Sequence, residues 1–262
     1  MELISSKDGT PIACRHSGVG TPLLLVHGTT GDHLTWAPVV AALERRFSVW
    51  VIDRRGRGHS GDAADYTLER ECEDLVAVID AIGGDVQVIG HSFGGLCALE
   101  AALLTSNISQ LILYEPPLSL LGSGWSAELD ARMEALLNAG NREEVLLLFL
   151  GNVIKTPPHE IAAMQAGPNW QGRVASAHTI HRELRSIDCY GFDPLRFRSM
   201  LTPTLLLLGS ESPPRRHTIA KTLHQALPNS RIAMLQGQQH GAIRTAPDLF
   251  VDEVVNFLLG VA

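Results

Sequence analysis

The sequence lacks any apolar segment long enough to cross a bilayer. Its longest apolar runs, such as Leu205 to Leu208 and Val145 to Leu150, fall far short of the about 20 residues that a membrane-spanning helix needs. The opening residues, MELISSKDG, also lack the charged and apolar regions of a secretory signal. From these two absences we expect a cytoplasmic protein that has no membrane partner.

Cysteines and basic residues are also scarce. The four cysteines, Cys14, Cys72, Cys97 and Cys189, show neither CxxC pairing nor the spacing of metal ligands, so we expect reduced thiols and no metal site. The 21 basic residues are outnumbered by 28 acidic ones, giving a net charge of -7. This balance argues against a nucleic-acid partner, which usually needs a basic face. A small-molecule substrate is therefore the expected partner, with no cofactor, and no pattern indicates an oligomeric state.

What the sequence does contain is an alternation of apolar strands and helices. The strands carry no polar alternation, which is typical of a parallel sheet covered on both faces. They are Leu23 to Val26, Phe47 to Ile52, Val86 to Ile89, Ile108 to Tyr114, Thr204 to Leu208 and Ile232 to Leu235. Helices are predicted between and after them at Thr35 to Glu44, Thr67 to Ile82, Phe93 to Leu104, His217 to Leu227 and Pro247 to Leu259. The pattern predicts an α/β fold with a doubly wound, mostly parallel sheet.

Residues 118–200 interrupt this alternation. They show no strong strand signal and are predicted to form helices at Ala127 to Asn138, Arg142 to Val153, Pro158 to Met164 and Ala175 to Leu184. Because structureless loops of this length are uncommon, we interpret the stretch as an all-helical cap inserted after the sixth strand. The core domain then comprises residues 1–117 and 201–262. Apolar cap residues such as Leu120, Leu121 and Phe149 suggest an apolar substrate, although many of them must also pack the cap helices.

The segment Gly90-His91-Ser92-Phe93-Gly94 matches G-x-S-x-G. It follows an apolar strand and opens a helix of small residues, which is the context of a nucleophile elbow. A serine in such a strained turn needs small residues two positions before and after it, and Gly90 and Gly94 supply them. Negative charge that develops at Ser92 is favoured by the start of the helix. The pattern predicts that Ser92 is a nucleophile.

Four ordered motifs and the inserted cap together resemble the α/β-hydrolase superfamily over nearly the whole chain. His27-Gly28-Thr29-Thr30 is similar to the H-G loop after the third strand, and Asp53-Arg54-Arg55-Gly56-Arg57-Gly58-His59-Ser60 to the turn after the fourth. The serine elbow, the cap and Gly237-Gln238-Gln239-His240-Gly241 follow in the family's order. The resemblance implies an oxyanion hole formed by the backbone N–H groups of Thr29 and Phe93. It is specific for the fold but not for the substrate.

The same resemblance places the general base at His240, which follows the last predicted strand. His27 and His91 lie in loops beside the expected active centre, where they either touch substrate or hydrogen-bond the backbone. Trp36 and Trp125 either line the substrate pocket or pack in the apolar interior.

The carboxylate that orients the histidine has two candidates. The family commonly carries an aspartate about three residues beyond the glycine that ends the seventh strand; this chain has Ser212 there and Glu211 one position earlier. Glu115, which follows the sixth strand, matches the position of the acid in some haloalkane dehalogenases that resemble this layout. Two prolines after Glu115 restrict its backbone, which favours Glu115 over Glu211.

These residues predict two-step acyl transfer on a small apolar ester, lactone or thioester. Other serine members of the fold cleave carbon–carbon bonds, which is the first alternative. A ligand receptor without turnover is the second, because receptors on this fold can keep all three residues of the triad.

Overall fold

The computed structural model describes residues 1–120 and 125–260, and its centre is one eight-stranded sheet. The strands are β1 (Glu2–Ser5), β2 (Pro11–Ser17), β3 (Thr21–Val26), β4 (Phe47–Ile52), β5 (Val86–His91), β6 (Ile108–Tyr114), β7 (Thr204–Gly209) and β8 (Ser230–Leu235). Their order across the sheet is β1-β2-β4-β3-β5-β6-β7-β8. From β4 to β8 all neighbours are parallel, whereas β1 and β2 add antiparallel pairs at one edge. The predicted doubly wound, mostly parallel sheet is confirmed.

Helices cover both faces of this sheet. One face carries α1 (Ala37–Leu43), α10 (Ala242–Thr245) and α11 (Pro247–Leu259), and the other carries α2 (Leu68–Ile82), α3 (Phe93–Ala101) and α9 (Pro214–Ala226). Strand residues alternate between the two cores: Leu24 packs with the α2 and α3 side, and Leu25 with the α1 and α11 side. Apolar residues at both alternating positions are thus buried, which explains strands without polar alternation.

The first two strands were not predicted from sequence. β1 is exposed along most of its length, and β2 is buried at only three of its seven positions. Both strands lack the continuous apolar run that identified the other six. The helix predictions are closer: α11 spans the predicted residues, and α2 begins after Thr67, whose side chain accepts a hydrogen bond from the Arg70 N–H. That bond is an N-cap interaction, which stops the helix from starting earlier.

The described part of the insertion is helical. It contains α4 (Ala127–Asn138), α5 (Arg142–Leu148), a π-helical turn (Phe149–Ile154), α6 (Pro158–Gln165), α7 (Trp170–Ala175) and α8 (His178–Cys189), and a 3₁₀ turn (Pro194–Phe197) leads back to β7. Leu121 lies outside the described residues. The division into core and cap at residues 118 and 200 stays a prediction. Among the described helices, none combines the length and the apolar character that crossing a membrane requires.

A buried cluster of charged groups joins α8 to the loop after β4. Arg54 Nη2 donates to Glu71 (2.7 Å) and to Glu183 of α8 (2.6 Å), and Arg57 also donates to Glu183. All four side chains are excluded from solvent. The positive charges of Arg54 and Arg57 hold the pKa of Glu183 near 2 although burial opposes ionisation. The insertion is therefore tied to the sheet by charge as well as by apolar packing.

Replacing Glu183 by glutamine is expected to lower the free energy of unfolding by about 3–5 kcal/mol, because Arg54 and Arg57 lose a shared buried counter-charge. Urea denaturation monitored by circular dichroism measures the change. The matched control is Glu160→Gln, which removes an exposed ion pair with Arg244 and should change stability by at most about 1 kcal/mol. Equal effects from the two variants would contradict the anchoring role.

Candidate active site

The carboxyl ends of β5 and β6 place Ser92 and Glu115 side by side. Each residue directly follows its strand, and the Ser92 N–H donates to the carbonyl oxygen of Tyr114 at 2.9 Å. His240 enters from the loop after β8. In an open parallel sheet, ligands bind in the crevice at this edge. Two neighbouring strands and one loop thus bring together three residues that are far apart in sequence.

Ser92 has a backbone conformation that is rare for a residue with a side chain. Its φ is 54° and its ψ is -126°, outside the main allowed regions for such residues. The turn is tight on both sides: a Cβ at Gly94 would lie 2.4 Å from the carbonyl oxygen of His27, and one at Gly90 would lie 2.6 Å from Gly95 Cα. Only glycine fits at these two positions, so the turn has the geometry of a nucleophile elbow.

The structure places the Glu115 carboxylate against His240 and leaves Glu211 away from it. His240 Nδ1 donates to Glu115 Oε2 at 2.7 Å. Glu115 is buried, with a φ of 48° that turns its side chain out of the strand direction. Glu211 is exposed, and its carboxylate accepts a hydrogen bond of 3.4 Å from Ser210. Of the two predicted acids, Glu115 is the one that contacts the imidazole.

Three further groups hold the Glu115 carboxylate. Its Oε1 accepts hydrogen bonds from the Gly209 N–H (2.9 Å) and from the Ser212 hydroxyl, and Arg216 Nε lies 3.2 Å from Oε2. Burial alone would raise the pKa of Glu115, but His240, Arg216 and Ser212 lower it to about 2. The carboxylate is therefore ionised at neutral pH. Ser212 occupies the position where the family commonly has an aspartate. In this chain it follows the neighbouring strand β7 and donates a hydrogen bond to Glu115.

Tyr114 and His91 make hydrogen bonds to the loop that carries His240. The Tyr114 hydroxyl donates to the Gln239 carbonyl oxygen and accepts from the Ala242 N–H at 3.1 Å. His91 Nε2 donates to the His240 carbonyl oxygen at 3.0 Å. These contacts flank His240 on both sides along the chain, so its ring is presented by a restrained backbone. Tyr114 was not identified from the sequence. It is the last residue of an apolar strand, and nothing in that pattern distinguishes it from its neighbours.

The acid limb of the pH–rate profile should have its midpoint below pH 6.5. Burial and the positive charge of Arg216 lower the pKa of His240 from its ordinary value of 6.5, although Glu115 opposes this. Because only neutral imidazole can take a proton from the serine, kcat/KM should fall as pH drops through that lowered pKa. Arg216→Gln should move the midpoint to higher pH, since it removes a charge that disfavours protonation. Values of kcat/KM from pH 4 to 9 give both midpoints.

Arg231→Gln provides the control for this shift, because Arg231 lies over the Phe257 ring, away from Glu115. It should leave the acid limb unmoved. An acid limb that stays in place in Arg216→Gln as well would show that Arg216 does not set the pKa of His240.

The two residues predicted to supply oxyanion donors lie near Ser92. Phe93 is the first residue of α3, so its N–H has no acceptor within the helix. The H-G loop approaches from β3: a Cβ at Gly28 would lie 2.7 Å from Ser92 Cβ. Thr29 follows Gly28 and lines the same cavity as Ser92. The roles of these two amides as oxyanion donors stay predictions.

The four predicted substrate contacts divide into one that lines the cavity and three that do not. His91 lines it, beside Ser92 and His240. His27 and Trp36 are fully buried: His27 bridges the Gly28 carbonyl and the Arg54 N–H, and Trp36 packs near Phe250. For both residues the structure shows the second of the two predicted alternatives, because sequence position beside a loop does not show which way a side chain points. Trp125 packs against the apolar core and does not line the cavity.

A cavity of about 630 Å³ opens above Ser92. Its floor is the carboxyl edge of the sheet with the loops after β3 and β8, and its roof comes from the insertion between Phe149 and Arg173. The volume is in the range of sites for small molecules. Phe149, one of the apolar cap residues noted in the sequence, lines this roof together with Met164. Nothing in the sequence indicated the cationic residues Lys155, Arg173 and Arg244 that also line the cavity. Single cations in helical or loop segments carry no signal of an active-site position.

A parallel sheet with a serine elbow, a buried carboxylate and a histidine at one edge defines the class of α/β hydrolases. The chain belongs to the Alpha/beta hydrolase family, whose sequence model matches residues 23–253. The protein is therefore a hydrolase.

Relatives and solved structures agree with this assignment. The chain is 27% identical to a protein of Azorhizobium caulinodans named carbamate hydrolase RutD, over 92% of both chains. It is 37% identical to the N-formylmaleamate deformylase of Pseudomonas putida over 109 residues, 40% of this chain and 41% of that protein. The crystal structure of an alpha/beta hydrolase from Sphaerobacter thermophilus is 36% identical, with a TM-score of 0.86, covering 98% of this chain and all of the other.

Proposed function

We propose that the protein is a serine hydrolase that cleaves a small carboxylic ester or a related acyl compound through an acyl-enzyme. The single observation that carries this proposal is the short contact between His240 Nδ1 and the buried, ionised Glu115, in a site where Ser92 occupies a strained elbow. A carboxylate on Nδ1 fixes the tautomer in which Nε2 is free to accept a proton. The three residues then have the roles of nucleophile, base and orienting acid.

In the first half-reaction, Ser92 Oγ attacks the substrate carbonyl carbon while His240 Nε2 takes the hydroxyl proton. The Thr29 and Phe93 amides donate to the oxyanion, each typically worth about 3 kcal/mol of transition-state stabilisation. His240 gives the proton to the leaving group as the carbon–oxygen bond breaks. In the second half-reaction a water molecule attacks the acyl-enzyme, His240 takes its proton, and Ser92 leaves with that proton restored.

A second candidate is hydrolysis of a carbon–nitrogen acyl bond. It is favoured by the relatives, which are named a carbamate hydrolase and a deformylase acting on N-formylmaleamate. The same groups serve both reactions, because the leaving nitrogen also needs a proton from His240. The ratio of kcat/KM for p-nitrophenyl butyrate and p-nitrobutyranilide separates the two candidates, since the substrates share their acyl chain and aromatic ring.

The test of the proposal is covalent labelling by diethyl p-nitrophenyl phosphate, followed by intact mass and peptide mass spectrometry. A single diethylphosphoryl adduct on Ser92, with loss of esterase activity, is the expected result. An unlabelled protein that returns esters chemically unchanged would overturn the proposal and favour the receptor alternative.

A further inference from the structure

The active-site cavity is cationic in a protein of net negative charge. The chain carries a net charge of -7, yet Lys155, Arg173 and Arg244 line the cavity against a single carboxylate, Glu160, among the described lining residues. Glu160 pairs with Arg244 at 2.5 Å. Lys155 and Arg173 are therefore left without a counter-charge on the wall of the cavity.

Arg173 is the more enclosed of these two cations. Its Nη1 donates to the Thr30 hydroxyl (3.0 Å) and to the Thr30 carbonyl oxygen (3.4 Å). Within residues 1–120 and 125–260, no carboxylate comes within ion-pair distance of its guanidinium. Asp32 acts on Arg173 electrostatically, but its carboxylate stays beyond ion-pair distance, where it accepts the Leu34 N–H at 2.9 Å. A half-buried guanidinium paired only with neutral groups is costly unless a ligand supplies the negative charge.

The remaining nitrogens of Arg173 are free to bind such a ligand. Nε and Nη2 have no partner in the part of the chain that the structure describes, and neither is sealed from solvent. The guanidinium presents its donors in a planar fork that matches a carboxylate. Because Arg173 lines the cavity, these donors are accessible from the space that a substrate occupies.

The contact with Thr30 places this cation beside the reaction centre. Thr30 follows Thr29, whose amide is the proposed oxyanion donor, and consecutive Cα atoms are about 3.8 Å apart. Thr30 has a φ of 65°, and this left-handed turn keeps the loop compact. Arg173 and Ser92 thus line the same cavity, and Arg173 bonds the residue next to the proposed oxyanion donor. The apolar roof, including Phe149 and Met164, suits the hydrocarbon of a substrate that contacts both Arg173 and Ser92.

We propose that Arg173 binds a carboxylate of the substrate, so that the preferred substrates are monoesters or monoamides of short dicarboxylic acids. Lys155, which lines the cavity in a left-handed conformation with a φ of 64°, adds positive potential. This inference rests on the proposed function and narrows the expected apolar substrate to one with an anionic end. Arg173 contacts the substrate without taking part in bond cleavage.

The experiment compares two pairs of methyl esters in which an acetyl group replaces the carboxylate at equal length. The pairs are monomethyl succinate with methyl 4-oxopentanoate, and monomethyl glutarate with methyl 5-oxohexanoate. Hydrolysis is followed in a pH-stat. The wild-type kcat/KM should favour the better carboxylate ester by roughly tenfold or more, the worth of a charge-assisted hydrogen bond. Arg173→Met should remove this preference by raising KM for the carboxylate esters more than for the neutral esters, because methionine keeps the aliphatic stem of the side chain but neither its charge nor its donors.

Two further variants distinguish charge from structure. Arg173→Lys should retain part of the preference, whereas Arg185→Met, an exposed arginine of α8 outside this cavity, should change neither ester. A loss of activity on charged and neutral esters alike in Arg173→Met would show a structural role and overturn the inference. Equal wild-type kcat/KM values for the two members of each pair would also overturn it.

Calorimetric titration of Ser92→Ala with monomethyl glutarate tests binding without turnover. If Ser92→Ala binds monomethyl glutarate and Ser92→Ala/Arg173→Met does not, the inference is supported. This holds even if the wild-type protein hydrolyses no ester, a result that would contradict only the proposed function. If the protein hydrolyses neutral esters but does not bind the carboxylate ester selectively, the inference is contradicted and the proposed function is not.

Discussion

Ser92→Ala is expected to lower kcat for ester hydrolysis by about 10⁶-fold, as loss of the nucleophile does in serine hydrolases generally. The alanine removes the one atom that attacks the carbonyl and adds none. The strained turn should survive because its tightness comes from Gly90 and Gly94. Initial rates on p-nitrophenyl esters from acetyl to long acyl chains measure the loss. In the wild-type protein the same series gives the acyl length that fits the cavity of about 630 Å³.

The control for this loss is Ser48→Ala, which removes a hydroxyl that contacts His16 on the exposed side of β4. It should leave every rate in the series unchanged, and thermal unfolding should show that both variants are folded. If Ser92→Ala kept more than about 1% of the wild-type kcat, the roughly 10⁶-fold effect of losing a nucleophile would be missing and another residue would be the attacking group.

Glu115→Gln is expected to lower kcat by about 10⁴-fold, the cost of losing the carboxylate that orients the histidine. The glutamine keeps the shape of Glu115, but its amide no longer requires a proton on His240 Nδ1. The tautomer in which Nε2 can accept the serine proton is therefore no longer fixed. It also removes the negative charge that stabilises the imidazolium formed during the reaction. The effect should fall on kcat rather than on KM, because Glu115 does not line the cavity. Steady-state kinetics on one p-nitrophenyl ester suffices.

Glu211→Gln is the matched control, since it makes the same chemical change two residues beyond β7 on an exposed side chain. It should alter kcat by no more than a few-fold. The reverse ranking of the two variants would move the orienting acid to Glu211 and require the loop after β7 to rearrange during catalysis. If neither variant lost more than a few-fold, a carboxylate would not be needed to orient His240.

The elbow and the sheet were predictable because their signals are local. Six apolar strands follow from runs of consecutive residues, and the Ser92 turn follows from two glycines at fixed spacing with a strand before and a helix after. The two antiparallel strands at one end of the sheet were not predicted, because β1 is mostly exposed and β2 only partly buried. Helix α7 was missed for a similar reason, since its six residues are too few to show a helical period.

The choice between Glu115 and Glu211 depended on contacts between strands. Each glutamate follows a strand and precedes a proline, so local pattern barely separates them. Because β6 and β7 are parallel neighbours, the amide of Gly209 and the hydroxyl of Ser212 reach the carboxylate of Glu115. Those contacts join residues more than 90 positions apart, and no spacing rule within one segment describes them.

The amino-acid order was sufficient for the class of fold and the serine turn, because backbone sterics and apolar periodicity act over a few residues. The general position of the histidine came from the family resemblance. Only the tertiary structure showed that Glu115 is the acid in contact with His240. It also showed that His27 and Trp36 are buried and that Arg173 lines the cavity. The direction of a side chain depends on which distant segments pack around it. Its charge environment depends on the same packing, which is why the cationic wall of the site had no counterpart in the sequence pattern.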